Sequence, residues 1–326
     1  MPSKNLTFHL DVAAAQTTIA PLIRRTPVLR VPGLEEGGGP ALFLKLENLQ
    51  VTGSFKARGA ANRLSALSPE ERERGVVTCS SGNHGRAVAH VAGALGVSAV
   101  VCVPKWVDAV KLDGIRRAGG QVVLAGDTYD ETEHQALAMA EEEGKTFVQP
   151  FDDPWVAAGQ GTLGLELLED IPELGTVLIP LSGGGLAGGV AYALKEQRPD
   201  IRVVAVSAAN ARVMYESIRA GKPVELPEKE TLAEALSGGI GLANRYSISL
   251  IRELVDEHVL VEEEEIREAM LFALRDLQSV VEGGGAVALA AVLGGKWDAG
   301  VTGPQRPVAV VLSGGNVSLS RLSALG

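Results

Sequence analysis

Short apolar runs alternate with stretches of helical periodicity along almost the whole chain. The runs with the length and composition of buried strands are Ala41–Leu46, Gly75–Cys79, Ala99–Val103, Gln121–Leu124, Phe147–Gln149, Val177–Leu181, Val203–Val206 and Val308–Leu312. Two helices between them have clear start signals. Ser68-Pro69-Glu70-Glu71 is a capping box with proline at the first helical position, and Pro154 opens a helix that runs to about Glu169. This alternation predicts an α/β protein whose parallel sheets are flanked by helices.

The acidic run Glu262-Glu263-Glu264-Glu265 opens another helical pattern, which continues to about Gln278. Four carboxylates in a first turn complement the positive end of the helix dipole. We therefore interpret the run as a helix start and not as a metal site. The five histidines show no spacing typical of metal ligands either.

Composition narrows the class of protein. The 326 residues suffice for one large or two medium domains, and 46% of them are hydrophobic. No apolar run approaches the roughly 20 residues that cross a bilayer. The start Met1-Pro2-Ser3-Lys4-Asn5 lacks the features of a signal peptide, so we expect a cytoplasmic protein. Cys79 and Cys102 lie in apolar runs and predict buried thiols.

The net charge of −10 argues against nucleic acid and anionic membranes as partners, because both attract basic surfaces. It does not argue against a phosphate-bearing cofactor, since backbone amides of a glycine-rich loop can hold a phosphate without lysine or arginine.

Lys56 is the residue with the most suggestive surroundings, in Gly53-Ser54-Phe55-Lys56-Ala57. Ser54 resembles an N-cap, which puts Lys56 at the second helical position, where the positive helix end lowers the pKa of an ammonium. A lysine so placed can become a neutral amine and form a Schiff base with a carbonyl compound. A lysine on a solvated helix face is the ordinary alternative.

Further glycine-rich segments follow strand-like runs: Thr78-Cys79-Ser80-Ser81-Gly82-Asn83-His84-Gly85, Leu181-Ser182-Gly183-Gly184-Gly185-Leu186-Ala187-Gly188-Gly189 and Val310-Val311-Leu312-Ser313-Gly314-Gly315-Asn316. Each puts backbone N–H groups at the carboxyl end of a strand, where α/β proteins bind ligands. A single loop of this kind is weak evidence. Their combination with the lysine segment predicts one ligand site.

In this order and spacing, these motifs resemble the serine/threonine dehydratase and serine racemase group, which are pyridoxal-phosphate enzymes of fold type II, like tryptophan synthase β. The resemblance runs from about Ala13 to Leu319. Leu44–Gln50, Gly238–Leu242 and Val280–Ala286 are most similar to threonine-dehydratase-like proteins of hydroxyectoine breakdown. The resemblance implies a two-lobed fold, with a large cofactor-binding domain of residues 1–74 plus 151–326 and a small inserted α/β domain of residues 75–150.

The resemblance also assigns roles around pyridoxal 5′-phosphate. Lys56 would hold the cofactor and then act as base at the substrate Cα, while Phe55 would pack beside the ring. Asn83 would face the phenolic oxygen and Ser313 the pyridine nitrogen. The phosphate would lie on Gly183, Gly184, Gly185 and Leu186. The substrate carboxylate would lie on Ser80, Ser81, Gly82, Asn83 and His84.

Two residues near these motifs keep open roles. The family usually has glycine where this chain has Ser182, which either contacts the phosphate or only accommodates the turn. Glu282 would approach either the ring nitrogen or the leaving group.

The implied activity is an ammonia-lyase (dehydratase) that converts a β-hydroxy amino acid such as L-threonine or L-serine to a 2-oxo acid. Elimination from a hydroxylated diamino acid of hydroxyectoine catabolism is an alternative. Serine racemisation is another, because Ser81 matches the racemase's second base. Against it, Ser207–Val213 lacks the carboxylates of the racemase metal site, so we predict no metal. The racemase also has a substrate-contacting arginine in the small lobe, and this chain has Thr132 near that position instead.

A non-catalytic ligand-binding protein on the same fold and a β-replacement enzyme are the remaining alternatives. Family relatives are usually homodimers, and we expect the same here.

Overall fold

The computed structural model describes residues 6–34, 39–107, 109–297 and 306–326. The segment Met1–Asn5, on which the signal-peptide argument was based, lies outside them. Helices and strands follow in chain order: α1 Val12–Ile19, β1 Val28–Arg30, β2 Leu42–Leu46, α2 Lys56–Ser65, α3 Pro69–Arg74, β3 Val76–Cys79, α4 Asn83–Leu95, β4 Ala99–Val103, α5 Ala109–Arg117, β5 Gln121–Leu124, α6 Tyr129–Glu143, β6 Thr146–Phe147, α7 Pro154–Asp170, β7 Thr176–Pro180, α8 Gly185–Gln197, β8 Arg202–Ala208, α9 Val213–Ala220, α10 Tyr246–Leu254, β9 Glu257–Val261, α11 Glu263–Arg275, α12 Gly283–Leu293, β10 Val308–Leu312 and α13 Leu319–Ser323.

The larger sheet has six strands in the order β1-β2-β10-β7-β8-β9. All pairs are parallel except β1 with β2. Strands β10 and β7 are buried along their whole length, which explains their continuous apolar sequences. The predicted α/β fold with mostly parallel sheets is confirmed.

The smaller sheet has four parallel strands in the order β5-β4-β3-β6. Its strands lie between Val76 and Phe147, inside the range predicted for the small domain. The division of the chain into two domains stays a prediction. The strand expected at Phe147–Gln149 is shorter and earlier, at Thr146–Phe147.

Two strands were not predicted, and both lie at edges of the larger sheet. β1 has three residues and is mostly exposed, so it carries little apolar signal. β9 begins with Glu257 and His258, and only alternate residues are buried. Edge strands with one wet face lack the continuous apolar run that marks a buried parallel strand.

Capping explains the helix starts that the sequence predicted. Ser68 and Glu71 form the expected capping box before α3, and Asp153 accepts hydrogen bonds from Trp155 N and Val156 N at the start of α7. Glu262 is the N-cap of α11 and forms a capping box with Glu265. The first turn therefore holds three of the four carboxylates, which corrects the prediction of four.

Helix α7 packs against α1, α2 and α8 and thereby connects two helix starts. Close contact with α2 requires Gly159, because a Cβ there would lie 2.5 Å from the carbonyl oxygen of Arg58. This packing fixes the first residue of α2, Lys56, relative to the glycine-rich loop before α8. Within the described residues, none of the helices combines the length and apolar character needed to cross a membrane.

Candidate active site

A cavity of about 380 Å³ lies between the two sheets. It is lined by the first residues of α2, α4, α8 and α12 and by loops after β3, β7 and β10. The predicted site residues all line it: Phe55, Lys56, Ser80, Ser81, Gly82, Asn83, His84, Gly183, Gly184, Gly185, Leu186 and Ser313. Motifs far apart in the chain thus meet in one place.

Lys56 is the first residue of α2, not the second, and the residue before it has no side-chain cap. Ser54 is not the N-cap that the sequence suggested. It forms a bridge to Gly314, while Phe55 N donates to Ser313 O at 3.1 Å. These bonds attach the start of α2 to the loop after β10, which competes with local capping.

The Lys56 amine is partly buried and donates to the Pro150 carbonyl oxygen at 2.7 Å. It also lies 5.2 Å from the centre of the Phe55 ring. Burial lowers the pKa of Lys56 from 10.5 to about 8. The prediction of a lowered pKa therefore has a different cause, since burial and not the helix end lowers it. At pH 7 roughly a tenth of this amine is therefore uncharged.

The glycine-rich loop before α8 leaves backbone N–H groups at the cavity wall. Gly184 is the N-cap of α8 and has φ 88°, a conformation that favours glycine. At Gly183 a Cβ would lie 2.3 Å from the Phe151 ring. Ser182 Oγ donates to the Leu236 carbonyl oxygen at 2.9 Å, so its hydrogen is committed to the protein. The loop has the form of an anion cradle at a helix N-terminus.

The start of α4 contributes Asn83 and His84. Asn83 Nδ2 donates to Glu282 Oε1 at 2.5 Å. His84 Nε2 lies 3.1 Å from the Val148 carbonyl oxygen, so the ring donates there. Burial, helped by the charge of Lys56, lowers the pKa of His84 to about 3. His84 is therefore neutral at physiological pH, and its ring proton on Nε2 is bonded to the Val148 carbonyl oxygen.

Glu282 is the N-cap residue of α12 but makes no capping bond with its side chain. Its carboxyl faces the cavity and Asn83 instead. Burial raises the pKa of Glu282 to about 7, while Asn83 and Arg86 oppose the rise. The carboxyl is thus partly protonated near neutral pH.

Sequence reasoning missed the roles of Arg86 and Asn316, which also line the cavity. Asn316 closes the quoted Ser-Gly-Gly-Asn motif, and Arg86 follows Gly85 directly, so their positions next to motifs were the available signal. Thr132 does not line the cavity. It is buried in α6, and its hydroxyl bonds the carbonyl oxygens of Ala125 and Thr128.

The residues present suit pyridoxal phosphate. The cavity offers an amine with a lowered pKa, backbone amides for a phosphate and a neutral hydroxyl, Ser313 Oγ, whose recorded contact is a 3.5 Å bond to Gly284 O. Among the residues that the structure describes, no group of three or more His, Cys, Asp or Glu side chains could hold a metal ion.

Comparisons with known proteins agree with this fit. The family model described as pyridoxal-phosphate dependent enzyme matches residues 19–314. The L-threonine ammonia-lyase of Thermotoga maritima is 42% identical over 97% of this chain and 77% of its own length. The structure of maize serine racemase has a TM-score of 0.90 at 36% identity, over 96% of this chain and 94% of that one. Threonine deaminase isoform 2 from Solanum lycopersicum has a TM-score of 0.88 at 31% identity, over 97% and 87%.

Proposed function

The chain belongs to the family of pyridoxal-phosphate dependent enzymes, and we propose that it is an ammonia-lyase for β-hydroxy amino acids. L-Threonine and L-serine are the reference substrates, and the products are a 2-oxo acid and ammonia. The observation that carries the proposal is the Lys56 amine, which has a lowered pKa and opens on the same cavity as the glycine-rich loop. A threonine ammonia-lyase at 42% identity supports the reaction type.

When bound, pyridoxal phosphate would supply an electron sink for the bond changes at the substrate Cα. The chain's residues would supply the rest. Lys56 would hold the cofactor and, as a free amine, would take the proton from the substrate Cα, because near its pKa of about 8 an uncharged fraction is present. The amides before α8 would hold the phosphate, and the loop Ser80–His84 would hold the substrate carboxylate at the start of α4.

Ser313 sets the electronic character of the site in this proposal. A hydroxyl offers one hydrogen bond to the pyridine nitrogen but no charge to hold a proton there, unlike an aspartate. Ser313 would thus leave the pyridine nitrogen without a charged partner, which would favour loss of a β leaving group over transamination.

The test is the visible absorption of the purified, cofactor-loaded protein before and after L-threonine or L-serine, with 2-oxo acid measured in the same sample. We expect a visible band that changes while 2-oxo acid accumulates. Lys56→Ala should lose both the lysine-linked band and turnover. A protein without a visible band after addition of pyridoxal phosphate, or turnover by Lys56→Ala, contradicts the proposal.

Serine racemisation is a second candidate because Ser81 lines the same cavity as Lys56, where it can act as a second base. The likeness to maize serine racemase supports it. Chiral analysis of L-serine incubations separates the two reactions. If the wild type forms D-serine and Ser81→Ala does not, while Ser81→Ala still forms 2-oxo acid, racemisation is established as a second activity.

Elimination from a hydroxylated diamino acid stays an alternative to the reference substrates, and competition between such a compound and L-threonine tests it. The proposed small domain of residues 75–150, the homodimer and the cytoplasmic location are further parts of this proposal. Light scattering of the purified protein tests the dimer, and a molar mass of one chain would contradict it.

A further inference from the structure

Four polar side chains form an unbroken row of hydrogen bonds along the cavity. Arg86 Nη1 donates to Asn316 Oδ1 at 2.9 Å, and Asn316 Nδ2 donates to Asn83 Oδ1 at 2.6 Å. Asn83 Nδ2 then donates to Glu282 Oε1 at 2.5 Å. Arg86 and Asn83 belong to α4 beside the smaller sheet, whereas Asn316 and Glu282 belong to the larger sheet's side. The row therefore crosses from one sheet to the other.

The direction of this row is fixed at the Asn316 amide. A guanidinium can only donate, so the group that faces Arg86 must be the Asn316 carbonyl. Asn316 Nδ2 also donates to the Thr52 carbonyl oxygen at 2.8 Å, and a backbone carbonyl can only accept. Both neighbours impose the same orientation. The positions of oxygen and nitrogen in the Asn316 amide therefore follow from its partners alone.

The fixed amide of Asn316 determines the orientation of Asn83. Because Asn316 offers an N–H, Asn83 must turn its carbonyl towards Asn316 and its NH₂ towards Glu282. Of the two N–H bonds on Asn83 Nδ2, the recorded acceptor within the described part of the chain is Glu282 Oε1. The second N–H is available to a ligand in the cavity that Asn83 lines.

We propose that Asn316 is a positioning residue that makes Asn83 present an N–H donor, and not a carbonyl, to the cavity. The site thereby selects an oxygen that carries negative charge, such as the phenolic oxygen of pyridoxal phosphate. This inference rests on the proposed function, in which Asn83 faces that oxygen. Asn316 itself need not touch cofactor or substrate.

Asn316→Asp reverses the direction without changing the shape. An aspartate accepts from Arg86 and also from Asn83, so Asn83 must turn its NH₂ towards position 316 and its carbonyl towards Glu282 and the cavity. The aspartate oxygen that replaces Nδ2 cannot donate to the Thr52 carbonyl, so this bond is lost, as it is in Asn316→Ala. Asn316→Ala removes the link and leaves Asn83 free to adopt either orientation. Which of the two variants binds the cofactor more weakly therefore depends on the role of Asn316.

The readouts are the dissociation constant of pyridoxal phosphate and the pH midpoint of the visible absorption of the loaded protein. If Asn316 sets the direction, Asn316→Asp binds the cofactor at least about tenfold more weakly than the wild type, and more weakly than Asn316→Ala. Its pH midpoint rises by about one unit, since a donor to the phenolic oxygen is lost. If Asn316 only fills space and pins Arg86, the isosteric aspartate is the milder change.

The added negative charge needs its own control, and Lys111→Gln supplies it. Lys111 lines the same cavity but is not part of the row, and the substitution changes the charge of the cavity by the same amount. Thermal unfolding of each cofactor-free variant verifies folding. An equal effect of Lys111→Gln and Asn316→Asp, or weaker binding by Asn316→Ala than by Asn316→Asp, overturns the inference. A wild-type protein without any cofactor band overturns the proposed function instead.

Discussion

Two lysines, one buried and one partly buried, have amines with different kinds of partner. Lys45, in β2, is fully buried and lies 2.6 Å from Glu166 Oε2 and 3.6 Å from Asp170 Oδ2. Lys56, at the start of α2, has the Pro150 carbonyl as its recorded hydrogen-bond partner, and burial lowers its pKa to about 8. The Lys45 amine is held by carboxylates and supports the fold, whereas the Lys56 amine, which burial makes easier to deprotonate, gains reactivity.

The paired region is an ion cluster that consists of Lys45, Glu47, Arg58 and Glu166. Arg58 bonds Glu47 through Nε at 2.9 Å and Nη2 at 2.8 Å, and Glu166 through Nη1 at 2.7 Å. Burial opposes the charge of Arg58, but Glu47 and Glu166 outweigh it and raise the pKa of Arg58 above its ordinary value. Arg58 follows Lys56 closely in α2, so one helix supplies both the guanidinium of the ion cluster and the reactive amine.

The largest effect on stability is expected from Arg58→Met. The substitution leaves the buried carboxylates of Glu47 and Glu166 without their main partner, which should cost about 3–5 kcal/mol of unfolding free energy. Urea unfolding of the cofactor-free protein measures the cost. Arg219→Met is the matched control, because Arg219 pairs with Glu216 on the surface with 66% of its side chain exposed. That control should lose less than about 1 kcal/mol. Equal losses would mean that the cluster is not structural.

Lys56→Met should raise the free energy of unfolding of the cofactor-free protein, whereas Arg58→Met lowers it. The folded pKa of about 8 lies below the unfolded value of 10.5, so the unfolded state binds the proton more tightly at pH 7. Removing the amine should stabilise the cofactor-free protein by at most about 3 kcal/mol at pH 7. The penalty is fully present below pH 8 and disappears as the pH rises to 10.5, so the gain should shrink over that range. A loss of stability at pH 7, measured by the same urea unfolding, would show that the Lys56 amine is not held at a cost.

The buried strands and the cavity around Lys56 could be predicted from the sequence better than the ion cluster could. Buried strands such as β4 and β10 carry continuous apolar runs, and Ala99–Val103 and Val308–Leu312 have the predicted bounds. The reactive lysine and its loops lie next to glycines and capping residues, which are local signals. Thus every predicted site residue lines the cavity.

The ion cluster has no such local signal. Glu47 and Arg58 are near in sequence, but Glu166 joins them only because α7 packs against α2. The same reason hid the row from Arg86 to Glu282, whose direction depends on the Thr52 carbonyl and on contacts between both sheets. Long-range pairing of charges depends on tertiary contacts that the composition of a segment does not show.

Glu282→Gln tests the effect of burial on a carboxyl, because the pKa of Glu282 rises in the cavity. Its folded pKa of about 7 lies above the ordinary 4.5, so the protonated form contributes stability below pH 4.5 that is lost as the pH rises through 7. The wild type should lose about 2 kcal/mol relative to Glu282→Gln between these pH values, since partial exposure reduces the full shift. Unfolding free energies at a series of pH values measure this. Parallel curves for the two proteins would place Glu282 in an ordinary carboxyl environment.

The smallest effect is expected at the edge of the ion cluster, from Thr26→Val. The Thr26 hydroxyl is buried and donates to Glu47 Oε1, and this bond is one of the causes that lower the pKa of Glu47. Valine keeps the shape but removes the donor, which should cost about 1.5 kcal/mol, because Arg58 still holds both oxygens of Glu47. The loss should be larger in an Arg58→Met background, because Thr26 is then one of the few donors left to the same carboxylate, and a double-mutant cycle measures that coupling. Additive losses would mean that Thr26 stabilises the segment before β1 independently of the ion cluster.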